Sequence, residues 1–403
     1  MIFYNAGLHF FHFLVWIYSF FDAKSKLFVD GRKNSFQKLL AFNNTLKTDE
    51  EVYWFHCASL GEFEQARPLI ESIKARQPAH KIAISFFSSS GYEIQKNYPT
   101  VDLIFYLPKA SKLNAQKVLH WLKPTKIFFI KYEFWINYIN TAHRNGIPIY
   151  LVSALFNKKQ IFFQWYGSLF LSVLKKYSKI FVQDQSSFET LKEYHIESLV
   201  SGDTRFDRVL MNKSKAQKKP LIEAFAGNKK IVVLGSSWPK EEELIFSAYE
   251  VRLNYKIIIA PHNIARIVNI PPSLKSIQYS EATLENISVY EVLIIDNIGM
   301  LSSLYSYAQL AFVGGGFRSA LHNILEAAVF GIPVLYGYQT QKHPEAEALQ
   351  EAGGGLIIHD SQQLEYVLRN LFENEIQFNT MGKKAQTFIE ENAGATEKIL
   401  REI

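Results

Sequence analysis

The chain has 403 residues, and 48% of them are hydrophobic. Because a single hydrophobic core rarely grows beyond about 250 to 300 residues, we predict two domains. The 44 basic and 38 acidic residues give a formal net charge of +6, which is too small to indicate nucleic-acid binding but suits anionic small molecules or an anionic membrane surface. Cys57 is the one cysteine, so the sequence excludes an internal disulfide framework and a cysteine-cluster zinc site, and it favours a reducing compartment.

The N-terminal segment, MIFYNAGLHFFHFLVWIYSFF (residues 1–21), is rich in aromatic side chains. It is nearly long enough to span a bilayer, but Asn5, His9 and His12 interrupt it, so an anchor lying in the membrane interface is at least as well supported as a span. The segment is followed by a mainly basic flank that contains Lys24, Lys26, Arg32, Lys33 and Lys38. Such a flank suits the anionic cytoplasmic leaflet. The alternative is an aromatic helix buried in the core.

Beyond this segment, short apolar runs alternate with amphipathic stretches, as in KIAISFFSS followed by GYEIQKNY. Strands separated by helices indicate parallel sheets, so we predict two doubly wound, Rossmann-like α/β domains facing a cleft. The polar, basic stretch MNKSKAQKKP interrupts the pattern and marks the domain boundary. The predicted organisation is an anchor with its flank at residues 1–35, an N-terminal domain at 36–210, a linker at 211–220 and a C-terminal domain at 221–403.

Two carboxylates follow apolar runs in the first half. Glu62 lies in FHCASLGEFEQARPLI, where a strand gives way to a helix. From the residues alone it is either a catalytic general base or a glutamate that favours the helix dipole. Glu133 lies among aromatic residues in KYEFW, where a buried, paired structural acid is the alternative to a catalytic role.

The second half contains a glycine-rich turn, AFVGGGFRSALHNILEAA. Gly314, Gly315 and Gly316 follow an apolar strand, so their amides could approach a phosphate without interference from a Cβ atom. A helix is predicted to begin near His322 or Asn323, and Glu326 in that helix could accept the two hydroxyls of a ribose. The alternative is a tight turn from strand to helix with no ligand.

Other site types have little support in the sequence. It has no GxxxxGK[ST] phosphate loop, no HExxH zinc motif and no GxSxG nucleophile elbow. We therefore do not predict a P-loop kinase or ATPase, a metalloenzyme or a serine hydrolase. The basic residues are dispersed between apolar segments, which favours solvated faces over a nucleic-acid groove.

Taken together, these motifs resemble the bacterial Kdo transferases, which move 3-deoxy-D-manno-octulosonic acid (Kdo) from CMP-Kdo to a lipid A precursor (lipid IVA) in lipopolysaccharide synthesis. The resemblance rests on pieces that occur in order along nearly the whole chain: HCASLGE, SFFSSSGYE, KYEFW, VQDQSSFETLKEYHIESLVSGDTRFD, GSSWPKEEE, APHNIAR, DNIGMLSSLYSYAQLAFVGGGF and HNILEAAVFGIPVLYG. It implies a glycosyltransferase B fold, inversion at the sugar centre, no metal and no cofactor beyond the donor substrate CMP-Kdo. It also implies attachment to anionic lipid on the cytoplasmic face of the cell inner membrane.

The resemblance assigns catalytic roles to three residues. It places Glu62 at the general base of the family, and this agrees with the chemistry, because an acceptor hydroxyl must lose its proton as it attacks. Glu133 and Arg205 fall on positions that stabilise the transition state. The family usually has lysine where this chain has Arg205, and a planar guanidinium would meet an anion differently from a point charge.

The resemblance also assigns the nucleotide site. The proline-arginine-histidine turn of the family appears here as Pro261 followed by His262 and Asn263, so the arginine is lost. The remaining predicted nucleotide contacts are Gly299, Met300, Leu301, Gly315, Gly316, Asn323, Ile324, Leu325 and Glu326. Met300 replaces an acid of the family, so we expect backbone contacts at that turn.

Two other functions remain open from the sequence. One is a transferase or epimerase of the same fold that uses another nucleotide sugar. The other is a non-catalytic binding protein attached to the membrane. This alternative stays open because Arg205, His262 and Met300 differ from the residues that the family has at these positions. The motifs specify neither the number of Kdo units transferred nor the oligomeric state.

Overall fold

A computed structural model describes residues 2–249, 254–318 and 320–403, with the backbone alone for Ile2 and Phe3. The chain forms two compact units. The first contains the chain up to Arg208 together with Ala393–Ile403, and the second is Val209–Asn392. Both are α/β units built on a parallel sheet, as the alternation of apolar runs predicts.

The sheet of the first unit has the strand order β3-β2-β1-β4-β5-β6-β7. Its strands are β1 Val52–Cys57, β2 Lys81–Phe86, β3 Leu103–Tyr106, β4 Lys126–Ile130, β5 Ile149–Ala154, β6 Lys179–Val182 and β7 Ser198–Val200. Along β1, Val52 and Trp54 pack into one core while Tyr53 and Phe55 pack into another. Successive strand residues point to opposite faces, so a sheet buried on both faces requires the continuous apolar runs of this sequence.

Helices cover the two faces of this sheet and connect its strands. They are α1 Ile2–Tyr18, α2 Ala23–Gly31, α3 Ser35–Asn43, α4 Leu60–Arg76, α5 Ser89–Gln95, α6 Lys112–Leu122, α7 Ile136–Arg144, α8 Ser168–Leu174, α9 Gln185–Glu193 and α10 Thr204–Ser214, with a 3-10 helix at Ile161–Phe163. Several begin at a side-chain cap. For example, Asp184 accepts a hydrogen bond from the amide of Ser187 at the start of α9, which satisfies a donor that the helix leaves free.

The sheet of the second unit has the order β10-β11-β9-β8-β12-β13-β14. Its strands are β8 Lys230–Ser237, β9 Tyr255–Pro261, β10 Ser276–Gln278, β11 Val292–Ile294, β12 Leu310–Val313, β13 Val334–Gly337 and β14 Gly355–Ile358. Its α-helices are α11 Pro220–Ala226, α12 Pro239–Ser247, α13 Leu301–Leu304, α14 Leu325–Ala328, α15 Pro344–Glu351, α16 Ser361–Glu373 and α17 Glu375–Asn392. The 3-10 helices are Tyr279–Glu281, Ile287–Val289 and Tyr305–Tyr307, and α18 Ala395–Leu400 belongs to the first unit.

The domain boundaries differ from the predicted ones. The predicted linker at 211–220 begins inside α10, and the division between the units falls in that helix, after Arg208. The predicted C-terminal domain ended at residue 403, but Ala393–Ile403 belongs to the first unit. The reason is Asp207, whose carboxylate accepts hydrogen bonds from the amides of Gly394 and Thr396 at 2.6 and 2.7 Å. These charge-assisted bonds at the start of α18 fix the returning chain.

The N-terminal helix α1 lies on the first unit by one face. Tyr4 and Leu8 pack against its core, and the side-chain amide of Asn137 donates a 2.8 Å hydrogen bond to Asn5. The alternative of an aromatic helix buried in the core is wrong, because Phe10, Phe13 and Trp16 of α1 are exposed, as are Phe20 and Phe21 in the turn that follows it. Within the described part of the chain, no helix combines the length and the apolar content needed to cross a bilayer.

Candidate functional site

The strand order reverses direction at one place in each sheet. In the first sheet this switch lies between β1 and β4, and in the second it lies between β8 and β12. The connections from the carboxyl ends of such neighbouring strands diverge to opposite faces and leave a crevice, where ligands of open α/β sheets bind. Glu62 follows β1 and Glu133 follows β4, so the fold places both predicted carboxylates at the switch point of the first sheet.

The pKa of Cys57, the last residue of β1, is affected by both carboxylates. The Cys57 thiol is fully buried, and burial raises its pKa well above the usual value, with further increases from the negative charges of Glu62 and then Glu133. A charge raises the pKa of a neighbouring acid only when it is close. The structure therefore brings the two carboxylates to the same end of β1.

Glu62 lies in the first turn of α4. The hydroxyl of Ser59, the residue that precedes the helix, donates a hydrogen bond to its carboxylate. The amides at a helix N-terminus favour negative charge, and the side chain is only partly buried. Glu62 is thus an oriented carboxylate that a substrate can reach.

Glu133 occupies an irregular segment between β4 and α7. Its Oε2 atom lies 3.0 Å from Nε2 of His56, and the indole N–H of Trp135 also donates to it. Tyr177 donates to the backbone carbonyl of Glu133 at 3.0 Å. Backbone and side chain are therefore both fixed by hydrogen bonds.

Arg205 lies in the first turn of α10 and is held by Asp203. The guanidinium Nε and one terminal nitrogen each lie 2.8 Å from Oδ2 of Asp203. The same turn packs on α4, because Thr204 donates to the carbonyl of Gln65 at 2.7 Å. Since α4 also carries Glu62, the fold brings the helix of Arg205 against the helix of the proposed base.

Strained backbone marks the carboxyl ends of three strands. Lys131, Ser153 and Ser236 have positive φ angles of 65°, 57° and 51° directly after or at the ends of β4, β5 and β8. Residues with a Cβ atom adopt this region at a cost, and such strain concentrates at functional sites. Lys131 lies two residues before Glu133, so the sharp turn helps to direct that carboxylate.

In the second unit, a cavity of about 160 Å³ opens where β8, β9 and β11 end. His262, Gly299 and Leu301 line it, so three of the predicted nucleotide residues come together. Ser236 and Asn297 also line it. A larger cavity of about 560 Å³ lies beside α12 and is lined by residues such as Phe246, Arg266 and Pro271. It contains none of the predicted residues.

Aromatic and basic side chains form a column beside the β8–β12 switch point. The guanidinium of Arg318 lies 4.7 Å from the ring centre of Trp238, which stacks on His262 at 4.5 Å. His262 in turn lies 4.7 Å from His322. Burial, followed by the neighbouring imidazoles His262 and His343, lowers the pKa of His322 to about 4.

Sequence reasoning missed most of this column. Trp238 lies in the motif GSSWPKEEE and His322 directly precedes Asn323, so both were within recognised motifs, but they follow different strands. Arg318 is exposed and cationic, and it follows the glycines after β12. It supplies positive charge at the edge of the sheet where residue 262 is histidine in place of arginine.

Two buried glutamates of α12 accept hydrogen bonds from residues at or after the carboxyl ends of β8 and β12. Glu241 accepts the amides of Trp238 and Gly315, and burial raises its pKa despite these bonds, which lower it. Glu242 accepts the hydroxyl of Ser237 at 2.6 Å and pairs with Arg266. Buried carboxylates are costly unless they are paired in this way.

The amide of Gly315, which was predicted to approach a phosphate, is occupied by a hydrogen bond within the protein. That amide donates to Glu241 at 2.8 Å, and the amide of Gly314 donates to Gly235. The glycines are required by close backbone packing: a Cβ on Gly316 would lie 2.4 Å from the nitrogen of Gly337. Gly315 itself has a φ of +90°, which glycine adopts readily. The tight-turn alternative therefore accounts for these glycines.

The helix that was predicted to begin near His322 or Asn323 begins two to three residues later. This helix, α14, begins at Leu325 and ends at Ala328, because the side chain of Asn323 accepts the amide of Leu325 and forms a local turn. The side chains of Ile324 and Leu325 are fully buried, so contacts of these two residues with a nucleotide would have to come from backbone groups. Met300 is also buried.

Glu326 lies in the first turn of α14. The side-chain amide of Asn323 donates to its carboxylate at 3.2 Å. The pKa of Tyr305 is raised by burial and then by the charge of Glu326, and Tyr305 lies against Gly235 of β8. Glu326 is therefore a partly exposed carboxylate beside the switch point.

Solved structures share the fold at low sequence identity. The UDP-GlcNAc 2-epimerase of Neisseria meningitidis, solved with UDP-GlcNAc, matches with a TM-score of 0.61 at 15% identity, covering 87% of this chain and 99% of that one. MurG of Acinetobacter baumannii matches with a TM-score of 0.53 at 14% identity over 88% and 99% of the two chains. These likenesses support two parallel-sheet α/β domains of the glycosyltransferase B type.

The family model for 3-deoxy-D-manno-octulosonic-acid transferase (kdotransferase) matches residues 33–208. Proteins named 3-deoxy-D-manno-octulosonic acid transferase align over most of the chain. That of Rickettsia felis is 27% identical over 87% of this chain and 78% of its own, and that of Rickettsia prowazekii is 26% identical over 96% and 87%. That of Aquifex aeolicus is 27% identical over 79% and 86%. The resemblance noted in the sequence is thus confirmed: residues 33–208 match the Kdo transferase family model, and proteins named Kdo transferases align with most of the chain.

Proposed function

We propose that the protein is a glycosyltransferase that moves Kdo from CMP-Kdo to a lipid A precursor in lipopolysaccharide synthesis. The observation that carries the proposal is the alignment with Kdo transferases from Rickettsia and Aquifex, which extends over 79–96% of this chain. The oriented carboxylates at the β1–β4 switch point supply the groups that such a transfer needs.

In this proposal Glu62 is the general base. A ketosidic bond forms when an acceptor hydroxyl loses its proton to a base as it attacks the Kdo centre, and the bond from that centre to the CMP phosphate breaks on the opposite face, with inversion. The Ser59 hydroxyl donates a hydrogen bond to Glu62 and so orients its carboxylate. Positioned bases of this kind contribute about 10²- to 10⁴-fold to rate.

Glu133 and Arg205 are proposed to stabilise the transition state. Positive charge develops at the sugar centre as the leaving group departs, and an ionised, fixed carboxylate stabilises it without reorganisation. Arg205 is oriented by Asp203, and its planar guanidinium suits the carboxylate or phosphate of the donor. Because Asp203 fixes the guanidinium, Arg205 would meet the donor in a single geometry.

The second unit is proposed to bind the CMP part of the donor. Glu326 would accept the ribose hydroxyls, and the turn from Gly299 to Leu301 would offer backbone groups. Arg318, fixed over Trp238 beside His262, would meet the phosphate. CMP phosphate is a good leaving group, so the proposal includes neither a metal nor a cofactor.

We also propose that the exposed aromatic face of α1 attaches the protein to anionic lipid on the cytoplasmic face of the inner membrane. Aromatic side chains prefer the interface between headgroups and acyl chains. The support is the exposure of Phe10, Phe13 and Trp16 on the side of α1 away from Tyr4 and Leu8.

A comparison of nucleotides tests the donor assignment. A ligand that binds only the folded state raises the unfolding temperature, so CMP should raise it more than UDP or GDP at equal concentration. A larger shift with UDP would favour a transferase or epimerase that uses a UDP sugar. Equal shifts, or none, would favour a non-catalytic binding protein.

A further inference from the structure

A chain of hydrogen bonds runs behind Glu133 through residues to which the sequence assigns no role. The indole N–H of Trp54 lies 2.8 Å from the hydroxyl oxygen of Ser85, which lies 2.8 Å from Nδ1 of His56. Nε2 of His56 lies 3.0 Å from Oε2 of Glu133. Trp54, Ser85 and His56 are fully buried. We call these three residues with Glu133 the β1–β4 relay.

The direction of each bond follows from the donors present. An indole N–H can only donate, so the Ser85 oxygen accepts from Trp54. The buried Ser85 hydrogen itself needs an acceptor, and among the described residues Nδ1 of His56 is the partner within reach. Nδ1 of His56 must then be an acceptor, which leaves the proton of the neutral ring on Nε2. That proton is donated to Glu133.

The same logic decides the role of Trp135. Its indole nitrogen lies 2.9 Å from Nε2 of His56 and within hydrogen-bonding distance of Oε2 of Glu133. Because Nε2 of His56 already carries a proton, the Trp135 N–H can donate only to the carboxylate. Oε2 of Glu133 thus receives two N–H groups, both neutral.

Neutral donors have a specific consequence at this position. A lysine or arginine would orient the carboxylate but cancel its charge, whereas imidazole and indole orient it and leave the charge in place. Among the described residues, the donors to the Glu133 carboxylate, His56 and Trp135, both bind its Oε2 atom. Oε1 remains on a side chain that is 14% exposed.

We propose that His56 is a positioning residue for Kdo transfer: as the neutral Nε2–H tautomer set by Ser85, it fixes Oε2 of Glu133 and directs Oε1 to the reacting sugar. This inference rests on the proposed function and deepens it. It gives the histidine of the HCASLGE motif a task that is separate from proton transfer, which belongs to Glu62.

Substitution of His56 separates positioning from the other roles of an imidazole. In His56→Gln the carbonyl can accept from Ser85 and the amide can donate to Glu133, but the side chain carries no charge and transfers no proton. In His56→Leu both bonds are lost. We expect His56→Gln to keep turnover within about tenfold of wild type, the effect of one weakened neutral hydrogen bond, and His56→Leu to lose about 10²-fold in kcat.

The control is Phe129→Leu, because Phe129 packs edge-on against the His56 ring at 5.7 Å but lies outside the relay. It should lower the unfolding temperature and leave kcat nearly unchanged. CMP affinity, measured by calorimetry, should stay at the wild-type value in all variants. Wild-type kcat in folded His56→Leu would overturn the proposal, and so would a His56→Gln enzyme that is folded but as slow as the leucine variant.

The tautomer is tested without any activity measurement. Nitrogen NMR of the ¹⁵N-histidine-labelled full chain at neutral pH should show His56 protonated at Nε2 and not at Nδ1. In Ser85→Ala this preference should weaken, because the donor to Nδ1 is gone. An Nδ1–H or a doubly protonated ring in wild type would refute the relay even if Kdo transfer occurs. Absence of Kdo transfer by the wild type together with the expected tautomer would instead refute the proposed function.

Discussion

Ser59 donates its hydroxyl hydrogen bond to the carboxylate of Glu62, three residues further along at the start of α4. The pair joins the residue that precedes the helix to the proposed base in its first turn. The hydroxyl donor and the N-terminal end of the helix both hold the carboxylate in place. The base is therefore held in a geometry suited to taking a proton from an acceptor hydroxyl.

Replacing Glu62 with glutamine should slow turnover by about 10²- to 10⁴-fold, because the amide keeps the size of the side chain but cannot accept the proton. CMP affinity should not change, since the nucleotide is assigned to the second unit. Rate by product mass and affinity by calorimetry are measured on the same protein. Glu64→Gln is the matched control: Glu64 lies two residues further in α4 and pairs with Arg208. Equal rates for the two variants would end the assignment.

Replacing Glu326 with alanine should weaken CMP binding by about 1.5–3 kcal/mol, the contribution expected for hydrogen bonds to a charged acceptor. The matched ligand is 2′-deoxy-CMP, which lacks one of the two hydroxyls. If the carboxylate binds the ribose, the substitution should cost less with the deoxy ligand, and the difference between the two costs measures the interaction. Calorimetry that gives the same loss with both ligands would show that Glu326 acts elsewhere.

The membrane proposal predicts that the exposed face of α1 carries the affinity for lipid. Phe10→Gln, Phe13→Gln and Trp16→Gln together should lower binding to anionic vesicles by at least about tenfold, because each aromatic ring contributes about 1.5–3 kcal/mol when buried. The helix should remain docked, since Tyr4 and Leu8 lie on its other face. The control carries Tyr366→Gln and Ile376→Gln, two exposed apolar residues of the second unit. Co-sedimentation that is equal for both proteins would contradict the proposal.

Acid should destabilise the protein through His322. Its pKa is lowered from 6.5 to about 4 in the folded protein, so between these values the unfolded chain binds a proton that the folded chain does not. The free energy of unfolding must therefore fall as pH drops from 6.5 toward 4. His322→Asn removes this contribution, and its stability should fall less over the same window. Denaturant titrations of both proteins across the window measure the difference. Parallel curves would mean that the histidine is not buried in neutral form.

The parallel sheets could be predicted from the sequence because buried parallel strands appear as continuous apolar runs. KIFFI became β4 and KIIIAP lies within β9, as the pattern indicated. The return of α18 to the first unit could not be predicted, because it depends on bonds between Asp207 and residues 187 and 189 positions away. No local pattern reports such a contact.

The candidate site likewise contains residues that could be identified from the sequence and contacts that could not. Glu62 and Glu133 were singled out by the resemblance of their motifs to those of Kdo transferases, and both lie after strands that are neighbours in the sheet, β1 and β4. The hydrogen bond of the Gly315 amide to Glu241 could not be predicted, because Glu241 lies 74 residues earlier in the chain. His56 escaped attention because a histidine inside a buried strand resembles any core residue until its partners, Ser85 and Glu133, are known.

The transfer reaction itself is the most direct test. The full-length protein is incubated with lipid A precursor and freshly generated CMP-Kdo, and the lipid is analysed by mass spectrometry. The account predicts that the lipid gains the mass of one or more Kdo residues, that CMP is released in equal amount, and that UDP-N-acetylglucosamine gives no such product. An unchanged lipid mass with folded protein that binds CMP, or sugar transfer from the UDP donor alone, would contradict the account.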